Sequence, residues 1–163
     1  EITTRLVGSE MCIRDRLASP VQIAAMMNTI ASGGVYRTPF FVCGSVDETD
    51  GMPLETLAHP QSKRVMSAEN VALLRKMLCQ VVEEGTAQDA AWLEEGAGGK
   101  TGTAQTGQFT PDGTERKNLW FAGFYPAQQP RYTIVVLQDG QVSTEHSSAA
   151  IFARLCAMLD LLA

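Results

Sequence analysis

Apolar residues recur at the three- and four-residue spacing of an amphipathic helix in three segments of the chain. The first segment begins at SPVQ, where Ser19 is the predicted N-cap, Pro20 the first helical residue and Gln22 the capping-box partner. Gly33 and Gly34 are predicted to end this helix. Its apolar face consists of Ile23, Met26, Met27 and Ile30.

Ser67 is the predicted N-cap of the second helix, which ends at Gly85. The apolar face of this helix comprises Val71, Leu74, Leu78, Val81 and Val82. The stretch AQDAAWLEE that follows is compatible with a short helical turn. A third helix is predicted over residues 147–162, packed on a sheet through Ile151, Leu155, Met158 and Leu162.

Three strands are predicted between the second and third helices, over residues 97–106, 118–125 and 131–138. The segment AQQ with a proline on each side suits a hairpin-like return between the second and third of them. Because TIVVL is apolar on consecutive residues, both faces of its strand are predicted to be buried beneath helices. The fold class is therefore α+β, with an antiparallel sheet of three main strands packed with helices.

The remaining segments are predicted to be connections. Residues 35–46 are expected to be extended, with Pro39 confining part of them to an edge. Residues 47–64 are mostly polar and contain two prolines, which predicts a surface connection. Residues 106–118 are longer than a tight turn and are expected to form a mobile surface loop.

Composition narrows the class of protein. A chain of 163 residues with 45% hydrophobic and 19% charged residues suits a single globular domain. Its net charge of −5 and the lack of a Lys/Arg cluster give no support for nucleic-acid binding. No apolar run approaches the roughly 20 residues that span a bilayer. Four separated cysteines and two histidines lack metal-ligand spacing, and Cys79 and Cys156 are expected to be free thiols in apolar helical patterns.

The N-terminal stretch LVGSEMCIRDR, residues 6–16, resembles a string that recurs when a sequencing adapter is translated. We therefore expect residues 1–16 to be a non-native segment with few contacts to the domain, and native sequence to resume near Leu17. The alternative is an ordinary polar loop whose match is accidental.

The stretch AGGKTGTAQTG places a single cation, Lys100, among glycines and threonines. Gly102 would let a ligand or another backbone approach closely, because it has no side chain. Thr101 and Thr103 offer hydroxyl and backbone N–H groups that can hold a carboxylate or an oxyanion. An accessible site of this kind predicts that the 97–106 strand is outermost in the sheet. For the isolated triplet K-T-G alone, a solvated lysine beside a glycine bulge is the preferred explanation.

Five motifs in order, however, resemble the C-terminal half of the penicillin-binding protein transpeptidase domain: SPVQIA, IASGG, VVEEGTA, GGKTGTAQ and WFAGFYP. The resemblance covers residues 17–163, and KTGTAQ is similar to the class B enzymes of division, elongation and sporulation. It implies part of a β-lactamase/transpeptidase-like fold and a D,D-transpeptidase that cross-links peptidoglycan stem peptides. It also implies binding of β-lactams, an extracytoplasmic location at the cell membrane with the parent protein anchored there, and work alongside other cell-wall synthesis proteins. No metal or organic cofactor is implied.

The resemblance also implies a role for each residue of the motif. Lys100 would support proton transfer within the catalytic cluster, and Thr101 and Thr103 would bind the carboxylate of the substrate or the β-lactam. The N–H of Thr103 would supply half of the oxyanion hole, and Gly102 would belong to the same substrate-binding strand. Trp120 and Phe121 would pack in the core or, less simply, shape the cleft.

The sequence departs from the family at two motifs, because it contains neither S-x-x-K nor S-x-N. We therefore expect a fragment that binds but does not acylate alone, since the nucleophile is missing. Two alternatives remain open: a D,D-carboxypeptidase or serine β-lactamase, in which water accepts the acyl group, and a non-catalytic binding or sensor domain.

Overall fold

The structure is a computed structural model that describes residues 18–42, 44–47, 49, 53–56 and 61–162. The expectation that residues 1–16 make few contacts lies outside these described residues. The elements found there are helices α1 (Pro20–Ala31), α2 (Ala68–Glu83) and α3 (Ser148–Asp160), and strands β1 (Val35–Arg37), β2 (Gly44–Val46), β3 (Pro53–Thr56), β4 (Ser62–Arg64), β5 (Gly98–Phe109), β6 (Glu115–Tyr125) and β7 (Tyr132–Gln141). A short 3₁₀ turn, Gln88–Ala90, follows α2, as the sequence predicts.

The main sheet is antiparallel, with the strand order β5-β6-β7. The three predicted strands are therefore confirmed, and so is the prediction that the strand carrying Lys100 is outermost. The turn between β6 and β7 closes through a hydrogen bond from the Arg131 N–H to the Tyr125 carbonyl, 2.9 Å long. Arg75 of α2 supports this turn from outside by donating to the carbonyls of Ala127 and Gln128, at 2.9 and 2.8 Å.

The predicted mobile loop over residues 106–118 is wrong, because both strands continue into it. β5 extends to Phe109 and β6 begins at Glu115, so only residues 110–114 form the turn. Thr110 closes this turn by donating its N–H to the Thr114 carbonyl at 2.9 Å, and Gly113 supplies the positive φ of 84°. The Thr106 hydroxyl also donates to the Arg116 carbonyl across the strands, at 2.6 Å. Polar cross-strand pairs thus carry the hairpin beyond the point where the apolar pattern stops.

The connection predicted over residues 47–64 also contains regular structure. β3 pairs with β2, and β4 pairs with β1, both antiparallel. The extended segment predicted over residues 35–46 is thereby divided between two separate two-stranded sheets. These strands are only three or four residues long, which is too short for an apolar alternation to reveal them.

The main sheet has a hydrophobic cluster on each face. One cluster lies between α1, α2 and the sheet, where Met27, Ala122 and Phe124 are buried and Val135 packs against them. The other lies beneath α3, where Phe121, Val136 and Phe152 are buried. Adjacent residues of TIVVL, Val135 and Val136, thus contribute to opposite clusters, which confirms that helices cover both faces of this strand.

The helix boundaries follow the predicted caps. The Ser19 hydroxyl accepts from the Gln22 N–H, and the Gln22 side chain accepts from the Ser19 N–H, which completes the capping box. Ser67 caps α2 by accepting from the Asn70 N–H. Ser147 caps α3 in the same way, by accepting from the Ala150 N–H. Each helix begins directly after its cap, as the sequence predicts for the first two.

The buried face of α3 differs from the predicted one. The predicted residues are largely exposed beyond Ile151: Leu155 retains 40% of its accessible surface, Met158 59% and Leu162 83%. The face that packs on the sheet instead consists of Ala149, Phe152, Ala153 and Cys156. Two small alanines let the helix approach the sheet closely, so that the Phe152 ring meets the Phe121 ring at a centroid distance of 4.7 Å. Cys156 is a buried free thiol, as expected, and Cys79 is a half-buried one.

A candidate anion-binding strand at the edge of the sheet

The four predicted site residues lie consecutively on β5, at the edge of the main sheet. Their register partners on β6 are Ala122 for Lys100, Phe121 for Thr101, Trp120 for Gly102 and Leu119 for Thr103. Cross-strand partners project to the same face of a sheet, and successive residues alternate between faces. Lys100 and Gly102 therefore lie on the α1 face with Ala122, and Thr101 and Thr103 lie on the α3 face with Phe121.

The position of β5 is set by two glycines that precede the lysine. A Cβ atom on Gly98 would lie 2.3 Å from the Phe124 ring, and one on Gly99 would lie 2.4 Å from the Phe121 ring. Both rings are fully buried, on opposite faces of the sheet. The glycine pair therefore lets an aromatic ring of β6 cover the start of β5 on each side. Gly102 differs, because a Cβ there would meet Trp120 at an ordinary contact distance of 3.5 Å.

Lys100 folds back onto its own strand. Its Nζ donates to the Thr101 carbonyl at 2.8 Å and to the Thr101 hydroxyl at 3.4 Å. Lys100, Gly102 and Thr103 are exposed, and Thr101 is half-buried. The ammonium group is therefore held beside the threonine hydroxyl while it stays open to solvent.

Thr86 is a further residue of this candidate site that the sequence does not predict. Its Oγ1 lies 2.8 Å from the Oγ1 of Thr101, within hydrogen-bond distance. The sequence places these residues 15 positions apart, on the turn after α2 and on β5. The one sequence signal for Thr86 is the motif VVEEGTA, and a helix end at Gly85 is by itself a sufficient explanation of that motif.

The arrangement offers a cation, a threonine hydroxyl oriented by two neighbours, and a second threonine on the same face, all on an unpaired strand edge. Among the described residues, no other strand pairs with the outer edge of β5, so alternate N–H and C=O groups there remain available to a ligand. Such a surface suits an extended ligand that ends in a carboxylate.

A large concavity of about 740 Å³ lies elsewhere, between α1, β1 and α2. Its lining is mainly apolar and includes Met26, Tyr36, Phe41 and Leu74, and none of the described residues that line it is charged. Its chemistry does not suit an anion, so β5 remains the candidate site.

Within the described ranges, no group of three His, Cys, Asp or Glu residues could hold a metal ion. No helix in that part of the chain is long and apolar enough to cross a membrane.

Comparison with known proteins identifies the family of the chain. The curated relatives include penicillin-binding protein 1F of Bacillus subtilis, 38% identical over 110 residues, which cover 66% of this chain and 14% of the relative. PbpB of Mycolicibacterium smegmatis is 37% identical over 130 residues, which cover 73% of this chain and 19% of the relative. The chain thus spans less than a fifth of either relative's length.

Solved structures show the same fold. Penicillin-binding protein 3 of Mycobacterium tuberculosis, crystallised in complex with aztreonam, superposes with a TM-score of 0.74 at 29% identity. The match covers 89% of this chain and 35% of the M. tuberculosis chain. The family model "Penicillin binding protein transpeptidase domain" matches residues 15–157. The chain therefore belongs to the penicillin-binding protein transpeptidase family.

Proposed function

We propose that β5 is the carboxylate-binding wall of a peptidoglycan D,D-transpeptidase of the class B type. The observation that carries this proposal is the exposed edge position of Lys100, Thr101 and Thr103, with the Thr101 hydroxyl held by both Lys100 and Thr86. Its ligands are the terminal carboxylate of a D-Ala-D-Ala stem peptide and the carboxylate of a β-lactam. Family membership and the complex of the M. tuberculosis relative with aztreonam support both ligand classes.

In the complete enzyme, a serine hydroxyl attacks the carbonyl of the D-Ala-D-Ala bond. D-Ala leaves with a proton, and an acyl-enzyme ester remains. The amine of a neighbouring stem peptide then attacks this ester, which forms the cross-link and returns the proton to the serine. Lys100 stabilises negative charge and supports proton transfer, Thr101 and Thr103 hold the substrate carboxylate, and Gly102 keeps the strand open to the ligand. The Thr103 N–H donates to the developing oxyanion.

The serine of this reaction lies outside these 163 residues in our proposal, because the chain contains no S-x-x-K and no S-x-N. The isolated chain accordingly binds carboxylates weakly and does not acylate. The complete protein acts at the extracytoplasmic face of the cell membrane, where peptidoglycan is assembled, together with other cell-wall synthesis proteins. Residues 17–163 are the C-terminal part of its transpeptidase domain, and residues 1–16 are the adapter-like segment.

The sequence also favours one further candidate, a domain that binds stem peptides or β-lactams without catalysis, since the catalytic serine motif is missing from the chain. The reading frame upstream of Leu17 discriminates between the two. S-x-x-K and S-x-N in that frame support the transpeptidase, and their absence supports the binding domain. Acyl transfer to water or to an amine in the complete protein separates a carboxypeptidase or β-lactamase from a transpeptidase.

The first prediction concerns the isolated chain. After incubation with benzylpenicillin, intact-mass spectrometry should show no covalent adduct, because no activated serine is present. In ¹H–¹⁵N NMR titrations, millimolar N-acetyl-D-alanyl-D-alanine should instead shift the amide signals of Lys100, Thr101 and Thr103. Lys100→Ala should weaken this binding at least severalfold, because it removes the cation that pairs with the carboxylate.

An adduct of the intact drug mass on a serine of this chain would contradict the proposed absence of a nucleophile. Shifts that map to the apolar concavity rather than to β5 would contradict the proposed site. Met158→Ala serves as the control variant for the titration, because this exposed residue lies on α3 and is not part of β5.

A further inference from the structure

The motif Gly85-Thr86-Ala87 presents a hydroxyl group from a backbone that packing holds in place. A Cβ on Gly85 would lie 2.8 Å from both the Cα and the carbonyl oxygen of Val81, so the chain can pass over α2 here only with glycine. Ala87 is fully buried in the hydrophobic cluster beneath α3, which also contains Phe121 and Phe152 and is called the α3-side cluster below. Its N–H donates to the Val81 carbonyl at 3.1 Å. Thr86, between them, is exposed. A helix end alone would not require a threonine at this position, since the residue caps no group of α2.

The Thr101 hydroxyl has one proton and two lone pairs to distribute. The Lys100 ammonium only donates, so its contact at 3.4 Å uses one lone pair of Thr101. The contact with Thr86 at 2.8 Å then has two possible directions. Thr101 can donate its proton to Thr86, or it can accept from Thr86 and keep its proton for a ligand. Only the second direction leaves Thr101 able to donate to a carboxylate.

We infer that Thr86 is a positioning residue for ligand binding: it holds the Thr101 side chain in one rotamer and, when a carboxylate occupies the strand, donates to Thr101. The Thr101 proton is then directed to the ligand by a chain of donors that starts at Lys100 and Thr86. Chains of hydrogen bonds in one direction strengthen each member. This inference rests on the proposed function, because the ligand is the same carboxylate.

The proposed chain of donors also predicts which ligand end the site prefers. A carboxylate has only acceptor atoms, so it satisfies a Thr101 proton that points outward. A carboxamide at the same end keeps one acceptor oxygen but lacks the negative charge. Its two N–H donors find no acceptor there, because the Lys100 ammonium only donates and both lone pairs of the Thr101 hydroxyl are occupied. Thr86 therefore contributes to selection of a free C-terminal carboxylate over its amide.

The test compares Thr86→Val with Thr86→Ser in the full chain. Valine keeps the shape of threonine but cannot hydrogen-bond, whereas serine keeps the hydroxyl. Three-bond couplings between Thr101 Cγ2 and its backbone N and C′ atoms report the Thr101 rotamer directly. Titrations with N-acetyl-D-alanyl-D-alanine, its C-terminal amide and benzylpenicillin report affinity. Thr38→Val on the separate β1–β4 side of the chain is the matched control.

We expect one Thr101 rotamer in the wild-type chain, in Thr86→Ser and in the control, and averaged couplings in Thr86→Val. The dissociation constants of both carboxylate ligands should rise about fivefold in Thr86→Val, the size expected for one lost hydrogen bond. They should change less than about twofold in Thr86→Ser. The preference for the dipeptide over its amide should fall in Thr86→Val alone.

An unchanged Thr101 rotamer in Thr86→Val overturns the inference, and so does an unchanged affinity for carboxylates when the rotamer averages. Thermal unfolding of each variant identifies a loss of folding, and Thr86→Ser then still tests the role of the hydroxyl. If the wild-type chain binds none of the ligands at β5, the proposed function fails. The Thr101 couplings would still show whether Thr86 holds the side chain.

Discussion

At the scale of single residues, the glycines of GGKTG have different roles. Gly98 and Gly99 are required for packing, since a Cβ on either would overlap a buried phenylalanine ring. A Cβ on Gly99 would also lie 2.8 Å from the backbone oxygen of Ala122, which cannot move aside without breaking the sheet. Gly102 has room for a Cβ at 3.5 Å from Trp120. Folding therefore does not require glycine at this exposed position, and the proposed function explains it by close approach of a ligand.

Alanine at these positions should separate stability from binding. Gly98→Ala and Gly99→Ala should each lower the free energy of unfolding by about 1–3 kcal/mol, the cost of overpacking a core. Gly102→Ala should change it by less than about 0.5 kcal/mol, as at an ordinary surface position, yet weaken binding of N-acetyl-D-alanyl-D-alanine. Urea denaturation and NMR titration measure the two effects. Equal losses of stability in all three variants would show that β5 is placed by something other than the two rings.

The site could be predicted in part from sequence at this scale. Lys100, Thr101, Gly102 and Thr103 are found together on an exposed edge strand, because four consecutive residues of one strand need no tertiary information to be neighbours. Their roles in binding and catalysis remain proposals. Thr86 could not be placed from sequence, because its contact with Thr101 depends on how α2 meets β5. A hydroxyl 15 residues away along the chain leaves no periodic signal.

At the scale of elements, the helices and the long strands were predictable because caps and apolar periods are local. The connections over residues 47–64 and 106–118 contain strands that have neither a helix cap nor a sustained apolar period. Towards the turn over residues 110–114, β5 and β6 are joined by polar contacts such as the one between Gln105 and Glu115. Strands β1 to β4 are too short to show an alternation of apolar and polar residues. In α3 both candidate stripes have helical spacing. The stripe that contains Phe152 and Cys156 is the buried one, because the alanines next to them allow α3 to approach the sheet closely.

Truncations in α3 test this assignment of its buried face. Phe152→Ala should lower the free energy of unfolding by about 3–5 kcal/mol, because it leaves a cavity beside Phe121 and above Gly123. Met158→Ala removes a side chain that is 59% exposed and should cost less than about 0.5 kcal/mol. Guanidinium denaturation of the two variants measures both values. A larger loss for Met158→Ala than for Phe152→Ala would restore the face predicted from sequence.

At the scale of the whole molecule, the α3-side cluster is tied to the end of the sheet by groups that must stay neutral. The buried Tyr125 hydroxyl at the end of β6 donates to the Asp160 carboxylate at the end of α3. Burial, followed by this hydrogen bond to the carboxylate, raises the pKa of Tyr125 above its ordinary value. Burial, followed by the charge of Asp160, raises the pKa of Cys156 to about 12. Ionisation of either group in the folded chain would place a second negative charge beside Asp160.

Alkaline pH should therefore destabilise the domain. The folded-state pKa of Cys156 is raised from 9.0 to about 12. The stabilisation that the neutral thiol gives to the folded state is therefore fully present below pH 9 and is lost as the pH rises towards 12. Tyr125 acts in the same direction above its ordinary pKa of 10.0. Each group can reduce the free energy of unfolding by at most about 1.4 kcal/mol per pH unit.

Urea denaturation between pH 8 and about 11 measures this slope. Cys156→Ala should make the slope shallower, and Tyr125→Phe should do so at the high end despite a lower starting stability, whereas the non-titrating Met158→Ala should leave it unchanged. A slope that neither Cys156→Ala nor Tyr125→Phe changes would show that other groups set the alkaline limit of stability.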